Sequence, residues 1–308
     1  MDLKSSKLGH LACFTAYAIF GFNIIVCKDL TSTHWISPLS LFCLRSVFAG
    51  SLFWLISFLM PREKVDNKDF PKILVASLLG FFLTQLTFLM AIENITPMDC
   101  SIVSSLSPVY TMFIAALVLK EPITLRKAGG VVLSLAGIIF LILNSVGMAS
   151  SGERTTNISG IFLMIANSFC FAMYLGIFKP IISKYSVITF MKWIFLFSTI
   201  MSLPFSFTEI TSIDYASLPS NILWELSFLI VCSTFITYFL IPIGQQRIRP
   251  TLVSMYSYVQ PIIAIAISIC IGMDTLSWQK VLAAATVFTG VVIVSYSRGA
   301  KDSRVIEK

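Results

Sequence analysis

The sequence predicts an all-α integral membrane protein with ten transmembrane helices arranged as two inverted five-helix repeats. Three observations carry that expectation. Of 308 residues, 56% are apolar and 12% charged, and the mean hydropathy is +0.88, whereas charged residues make up about a quarter of an ordinary soluble domain. Ten apolar runs approach the length of about 20 residues that a helix needs to cross hydrocarbon: 8–28, 38–60, 71–92, 98–119, 125–143, 158–178, 187–208, 222–243, 251–272 and 279–297. The stretch 97–143 also recurs at 250–296 without a gap. Pro97 falls on Pro250, Ser101 on Ser254, Ser104 on Ser257, Pro108 on Pro261, Glu121 on Asp274, Lys127 on Lys280 and Gly137 on Gly290.

The repeat divides the chain into a first five-helix unit (8–143), a linker (144–157), a second unit (158–297) and a basic tail (298–308). Five is odd, so the second unit enters the membrane from the opposite side, as in inverted-repeat membrane proteins. The charges agree. Lysine and arginine gather in cytoplasmic loops, and alternate connections here are basic: Lys4 and Lys7; Arg62, Lys64, Lys68 and Lys72; Lys120, Arg126 and Lys127; Lys179 and Lys184; Arg247 and Arg249; Arg298, Lys301, Arg304 and Lys308. The opposite connections hold only Lys28, Arg154 and Lys280. Both termini are therefore expected in the cytoplasm. The tail needs no nucleic acid to explain it. The first run is span-length and has no convincing cleavage site, so it reads as a retained helix.

Span 1 carries Tyr17, Phe20, Gly21, Asn23 and Lys28, and span 6 carries Asn167, Phe171, Tyr174 and Lys179. A mid-span polar group such as Asn23 or Tyr174 must bond a neighbouring helix or face a wet cavity. Span 2 places Arg45 roughly 10 Å deep, where a guanidinium pairs, snorkels or meets a cavity. Lys192 in span 7 reads as snorkelling. Span 3 offers Gln85 and, at its end, Glu93; span 8 offers Tyr238. Arg45 and Glu93 are the candidates for coupling or gating.

Spans 4 and 9 carry the densest pattern. Ser101, Ser104, Ser105 and Pro108 share one helical face with the spacing of Ser254, Ser257, Tyr258 and Pro261. Each proline removes a donor and crowds the carbonyl four residues back, which predicts matched kinks. Either the serines bond the freed carbonyls themselves or the faces line a cavity, and the matching across repeats favours the cavity. Small residues in spans 5 and 10 (Gly130, Ser134 and Gly137; Ala283, Val287 and Gly290) suit close helix approach, as a scaffold or a homodimer face.

The seven cysteines include no CxxC pair, and the two histidines form no HExxH motif. Nothing points to a disulfide framework, a metal or a cofactor. There is no GxSxG or GxGxxG either, so an intramembrane enzyme is disfavoured; a channel is a further rival, opposed by the matched kinks.

Several of these residues resemble a known family. Phe20-Gly21-Phe22-Asn23 followed, after four intervening residues, by Lys28 is similar to the W-G-x-N-x4-K opening of EamA-type members of the drug/metabolite transporter superfamily, with Phe20 in place of tryptophan. Leu44-Arg45, SSLSPVY (104–110), LKEPITL (119–125) and the glycines of span 5 resemble its later motifs, more faintly in the second repeat. The resemblance implies a ten-helix bundle around a central cavity. It also implies export or exchange of small metabolites such as amino acids, across a membrane that is most simply a bacterial inner membrane. Expected partners are a small-molecule substrate and lipid. The substrate-binding candidates are Asn23, Gln85, Ser101, Ser104, Tyr174, Tyr238, Ser257 and Tyr258. A nucleotide-sugar or sugar-phosphate exchanger is the nearest alternative, but Arg45 alone is thin for a polyanion.

Overall fold

A computed structural model describes residues 3–33, 35–119, 125–148, 156–211, 213, 215 and 217–296. The break at Lys120-Glu121-Pro122, residues 149–155 of the linker and the tail 298–308 lie outside these residues. Eight helices here are long and apolar enough to cross a membrane: Ser6–Ser32, Pro38–Leu59, Asn67–Glu93, Pro97–Val118, Ile158–Ile177, Val187–Thr211, Ser220–Arg247 and Pro250–Cys270. Leu125–Met148 and Trp278–Tyr296 complete the ten as spans 5 and 10. Large apolar side chains such as Leu55, Phe58, Leu117, Phe205 and Ile262 project from the outer surface, as a lipid-facing surface requires. We call the face where span 1 begins the near face and its opposite the far face.

Local chemistry sets several helix starts. Pro38 and Pro97 occupy first turns, where a missing N–H costs nothing. The preceding Ser37 and Thr96 accept from the amides of Ser40 and Asp99, as N-caps do.

Three contacts between residues 153 apart mark the axis relating the repeats. Ser46 and Thr199 hydroxyls lie 2.8 Å apart, Gln85 Nε2 donates to Tyr238 OH at 2.8 Å, and Ser134 Oγ donates to the Val287 carbonyl at 3.3 Å. Equivalent residues meet only near a two-fold axis, so spans 2 and 7, 3 and 8, and 5 and 10 pair across it. Span 1 packs on spans 8 and 9 as span 6 packs on 3 and 4.

The small residues of spans 5 and 10 are used inside this pairing. A Cβ on Gly290 would lie 2.5 Å from the Gly130 carbonyl, and one on Gly137 would lie 2.7 Å from Val287 Cγ2. The face that the sequence left open to a homodimer is filled by the chain's own second repeat.

Two features have no sequence signal. Span 3 contains a π-helical turn at Leu78–Phe82 and span 8 one at Val231–Ile236, at equivalent positions. In each, a threonine spans the widened turn: Thr84 Oγ1 donates to the Leu79 carbonyl at 2.6 Å, and Thr237 Oγ1 to the Cys232 carbonyl at 2.9 Å. Such turns insert one residue and often mark functional segments.

The kinks of spans 4 and 9 occur slightly before their prolines. Span 4 is Pro97–Ser104 and Ser107–Leu119, broken at residues 105–106. Span 9 is Pro250–Met255, a 3₁₀ turn Tyr256–Tyr258 and Val259–Cys270. Pro108 and Pro261 thus sit in the first turn of the following half-helix, where proline is tolerated.

Candidate functional site

A small central cavity of about 60 Å³ lies among spans 1, 3, 4, 6, 8 and 9. Its polar wall comprises Tyr17, Asn23, Thr84, Gln85, Ser104, Ser107, Asn167, Tyr238 and Gln260, interleaved with Phe20, Phe88, Met164 and Phe171. Every one of these side chains is formally neutral.

With the Tyr238 hydroxyl donating to the Gly80 carbonyl at 3.5 Å, Gln85 Nε2 donates to that hydroxyl and Oε1 is left as a buried acceptor without a donor; the Tyr17 hydroxyl also has no partner. Asn167 Nδ2 donates to the Thr84 carbonyl at 2.5 Å, tying span 6 to span 3 beside its π turn. Unsatisfied polar atoms are costly in a dry interior, so Gln85 Oε1 and Tyr17 OH are groups that a solute or water would satisfy.

Of the eight sequence-based candidates, Asn23, Gln85, Ser104 and Tyr238 line the cavity. The other four do not. Ser101 is fully buried and bonds the Met98 carbonyl at 2.7 Å. Tyr174 packs its ring against Gly80 and stacks on Phe171. Ser257 is buried with a free hydroxyl, and Tyr258 packs edge-on against Phe288. The serines of span 4 bond their own helix: Ser104 Oγ donates to the Ser101 carbonyl at 2.8 Å. Ser107 Oγ donates to the Ser104 carbonyl, the one freed by Pro108, at 2.9 Å. Both readings of that face therefore hold in part. Ser107 and Gln260 were missed; Gln260, an amide inside an apolar run next to Pro261, was the available signal.

Glu93 is exposed at the end of span 3. Lys192 snorkels, donating to Ser57 Oγ at 2.8 Å above the Trp54 ring. Arg45 neither snorkels, nor pairs with a carboxylate among the described residues, nor lines the cavity.

Matched bonds tie off both faces. On the far face, Asn157 N donates to the Asn94 carbonyl at 2.8 Å, Gly160 abuts Asn94, and Lys28 Nζ donates to the Ile92 carbonyl at 2.8 Å. On the near face, Gly9 abuts Arg247, and Lys179 Nζ donates to the Ile248 carbonyl at 2.5 Å. Gly9 corresponds to Gly160, Lys28 to Lys179 and Asn94 to Arg247. His10 Nδ1 and Tyr256 OH, 2.8 Å apart, add a near-face bridge. The far face also has an ionic cluster. Lys280 Nζ lies 2.7 Å from Asp274 Oδ1 and 3.9 Å from Asp99 Oδ1. Thr156 Oγ1 donates to Asp99 Oδ2 at 2.5 Å, and Met98 N to Asp274 Oδ2 at 2.9 Å.

The near-face loops are joined as well. Lys184 Nζ lies 2.5 Å from both Asp66 Oδ2 and Asp69 Oδ2. These carboxylates hold the Lys184 ammonium well above the ordinary lysine range. Among the described residues no group of three or more His, Cys, Asp or Glu could hold a metal ion.

A two-fold bundle of paired spans around a neutral polar cavity, tied at both faces by equivalent contacts, is an arrangement suited to a membrane transporter. The comparisons agree. The sequence profile of the EamA-like transporter family matches residues 7–143 and 158–296, and the chain belongs to that family. It is 25% identical to an uncharacterized transporter of Archaeoglobus fulgidus, over 87% of this chain and 92% of the relative. It is 23% identical to the uncharacterized inner membrane transporter YicL of Salmonella typhimurium, over 95% and 97%. The uncharacterized transporter YetK of Bacillus subtilis is also 23% identical, over 98% and 91%. A solved protein crystal structure shares the fold with a TM-score of 0.65 at 16% identity, over 94% of this chain and 97% of that one.

Proposed function

We propose that this protein is a secondary transporter that exposes the central cavity alternately to the two faces and carries a small zwitterionic or amphipathic solute, amino acids being the leading class. The observation that carries this is the Gln85–Tyr238 contact: equivalent residues of two inverted repeats meet at the cavity wall and leave an acceptor open to it. Inverted repeats give two conformers of similar energy, each the mirror of the other's access. A solute shifts such an equilibrium only by its differential affinity for the two, so a neutral wall with a few unsatisfied groups suits turnover better than tight binding.

Export is the proposed direction, from the family resemblance. Placement in an inner membrane with both termini cytoplasmic is supported by the basic near-face loops and by the name of the Salmonella relative. The test is solute counterflow in proteoliposomes. Labelled amino acid should overshoot equilibrium when unlabelled amino acid is preloaded; simple equilibration without overshoot would indicate a channel, and a chemically altered product an enzyme.

A further inference from the structure

We infer that Arg45, Cys27 and Asn23 form a relay that turns one wall of the cavity into a donor surface for a carboxylate, with Arg45 as the residue that sets this specificity. The inference rests on the transporter reading and names the charged group of its solute.

Among the described residues Arg45 is the largest fully buried side chain, at 0% exposure. Its Nε donates to Thr234 Oγ1 at 2.7 Å, its Nη1 to Cys27 Sγ at 3.7 Å, and its Nη2 has no partner. Neither partner is an acid, and no carboxylate lies within ion-pairing distance of it among the described residues. A guanidinium does not shed its proton, and a buried charge without a counter-charge is strongly unfavourable. A structural staple between helices needs no permanent charge. A cation held here without an acid is explained by an anion that arrives with the solute.

The hydrogen-bond directions lead to the cavity. Because Arg45 donates to the Cys27 sulfur, the Cys27 S–H is free to point onward, and it donates to Asn23 Oδ1 at 3.6 Å. With Oδ1 occupied, the Asn23 amide presents Nδ2 to the cavity that it lines. The Tyr17 hydroxyl, also unpartnered, is a second donor on the same helix. Thr234, the other anchor of the guanidinium, belongs to the π turn of span 8, one turn before Tyr238. The cavity lining contains no acid and no base. In a medium of low dielectric the cation behind the wall therefore acts on the cavity with little screening.

The test uses the purified full-length protein and matched acid–amide probes at constant pH and ionic strength: L-leucine with L-leucinamide, L-phenylalanine with L-phenylalaninamide, and 4-methylpentanoate with 4-methylpentanamide. Thermal stability is followed as each is titrated. At least one acid should raise Tm at a concentration about tenfold or more below its amide, the difference expected of one charge-assisted hydrogen bond. Arg45→Gln should abolish that ratio and Arg45→Lys should keep part of it. Cys27→Ala should reduce it and Cys27→Ser restore it, which covers the case in which Arg45→Gln does not fold. Equal response to acid and amide, no response to any acid, or a ratio unchanged in the folded Arg45→Gln or Cys27→Ala protein overturns the inference. Counterflow of a solute lacking a carboxylate would end the carboxylate assignment and leave transport standing. Acid-selective binding without counterflow would do the reverse.

Discussion

Gln85 and Tyr238 are equivalent residues of the two repeats, and they hydrogen-bond to each other at 2.8 Å across the axis that relates them. The repeats are therefore not merely similar. They touch through the same position, and that position is the cavity wall. A motion that opens one face must pivot about this contact or break it.

The first prediction concerns the pair itself. Gln85→Ala and Tyr238→Phe should each destabilise the protein by about 1 kcal/mol, the usual worth of a buried hydrogen bond. The double variant should lose less than the sum, with a coupling of about 0.5 kcal/mol or more. Thermal unfolding of the four proteins measures it, and strict additivity would mean that the bond is not made.

The second concerns the far-face ionic cluster. Lys280→Met leaves Asp99 and Asp274 without their cation and should cost about 3 kcal/mol, because a buried charge loses its partner. Adding Asp274→Asn should recover part of the loss. A Lys280→Met protein as stable as wild type would show that the cluster is solvated.

The third contrasts two glycines. Gly290→Ala drives a Cβ onto the backbone of span 5 at Gly130 and Ser134, whereas a Cβ at Gly129 meets nothing within 4 Å. Gly290→Ala should destabilise by about 1–3 kcal/mol, and Gly129→Ala should be neutral or stabilising by up to about 1 kcal/mol. A reversed order in Tm would place the contact of spans 5 and 10 elsewhere.

The fourth concerns the two matched lysines. Removing a charge-assisted bond to a helix end shifts a two-state balance by about tenfold. Lys28→Met should make a cysteine at Ser104 more reactive to an impermeant maleimide from the far face, and Lys179→Met from the near face. The same change in accessibility from both variants would rule out opposed latches.

The fifth concerns orientation. In a cysteine-free background, Ser32→Cys should label from outside intact cells and Lys68→Cys only after permeabilisation. The opposite pattern would invert the proposed topology.

Four of the eight residues chosen from the sequence line the cavity, and the division has a physical basis. Asn23 and Gln85 were found because an amide in mid-membrane is costly wherever it sits, so its presence alone signals a partner or a cavity. Ser101, Ser257 and Tyr258 were chosen by helical spacing, which specifies a shared face but not what that face meets. Arg45 is buried in the structure, but that its neighbours Cys27 and Thr234 are not acids could not be read until spans 1, 2 and 8 were brought together. Small residues in spans 5 and 10 announce close approach but not its partner, and in the structure Gly137 and Gly290 meet the chain's own other repeat.

The class, the ten spans and the duplication are legible from the chain alone. Hydrocarbon forces each crossing segment to satisfy its own backbone over about 20 apolar residues, and loop charge records which ends share a side; both are local properties of the chain. Only the tertiary structure decided which polar groups meet. Each π turn inserts a residue into span 3 or 8, which rotates every later side chain by about 100° relative to an unbroken α-helix. Packing across the two-fold axis then selected Gln85 against Tyr238, and buried Arg45 on Thr234 and Cys27 with no carboxylate in pairing distance among the described residues.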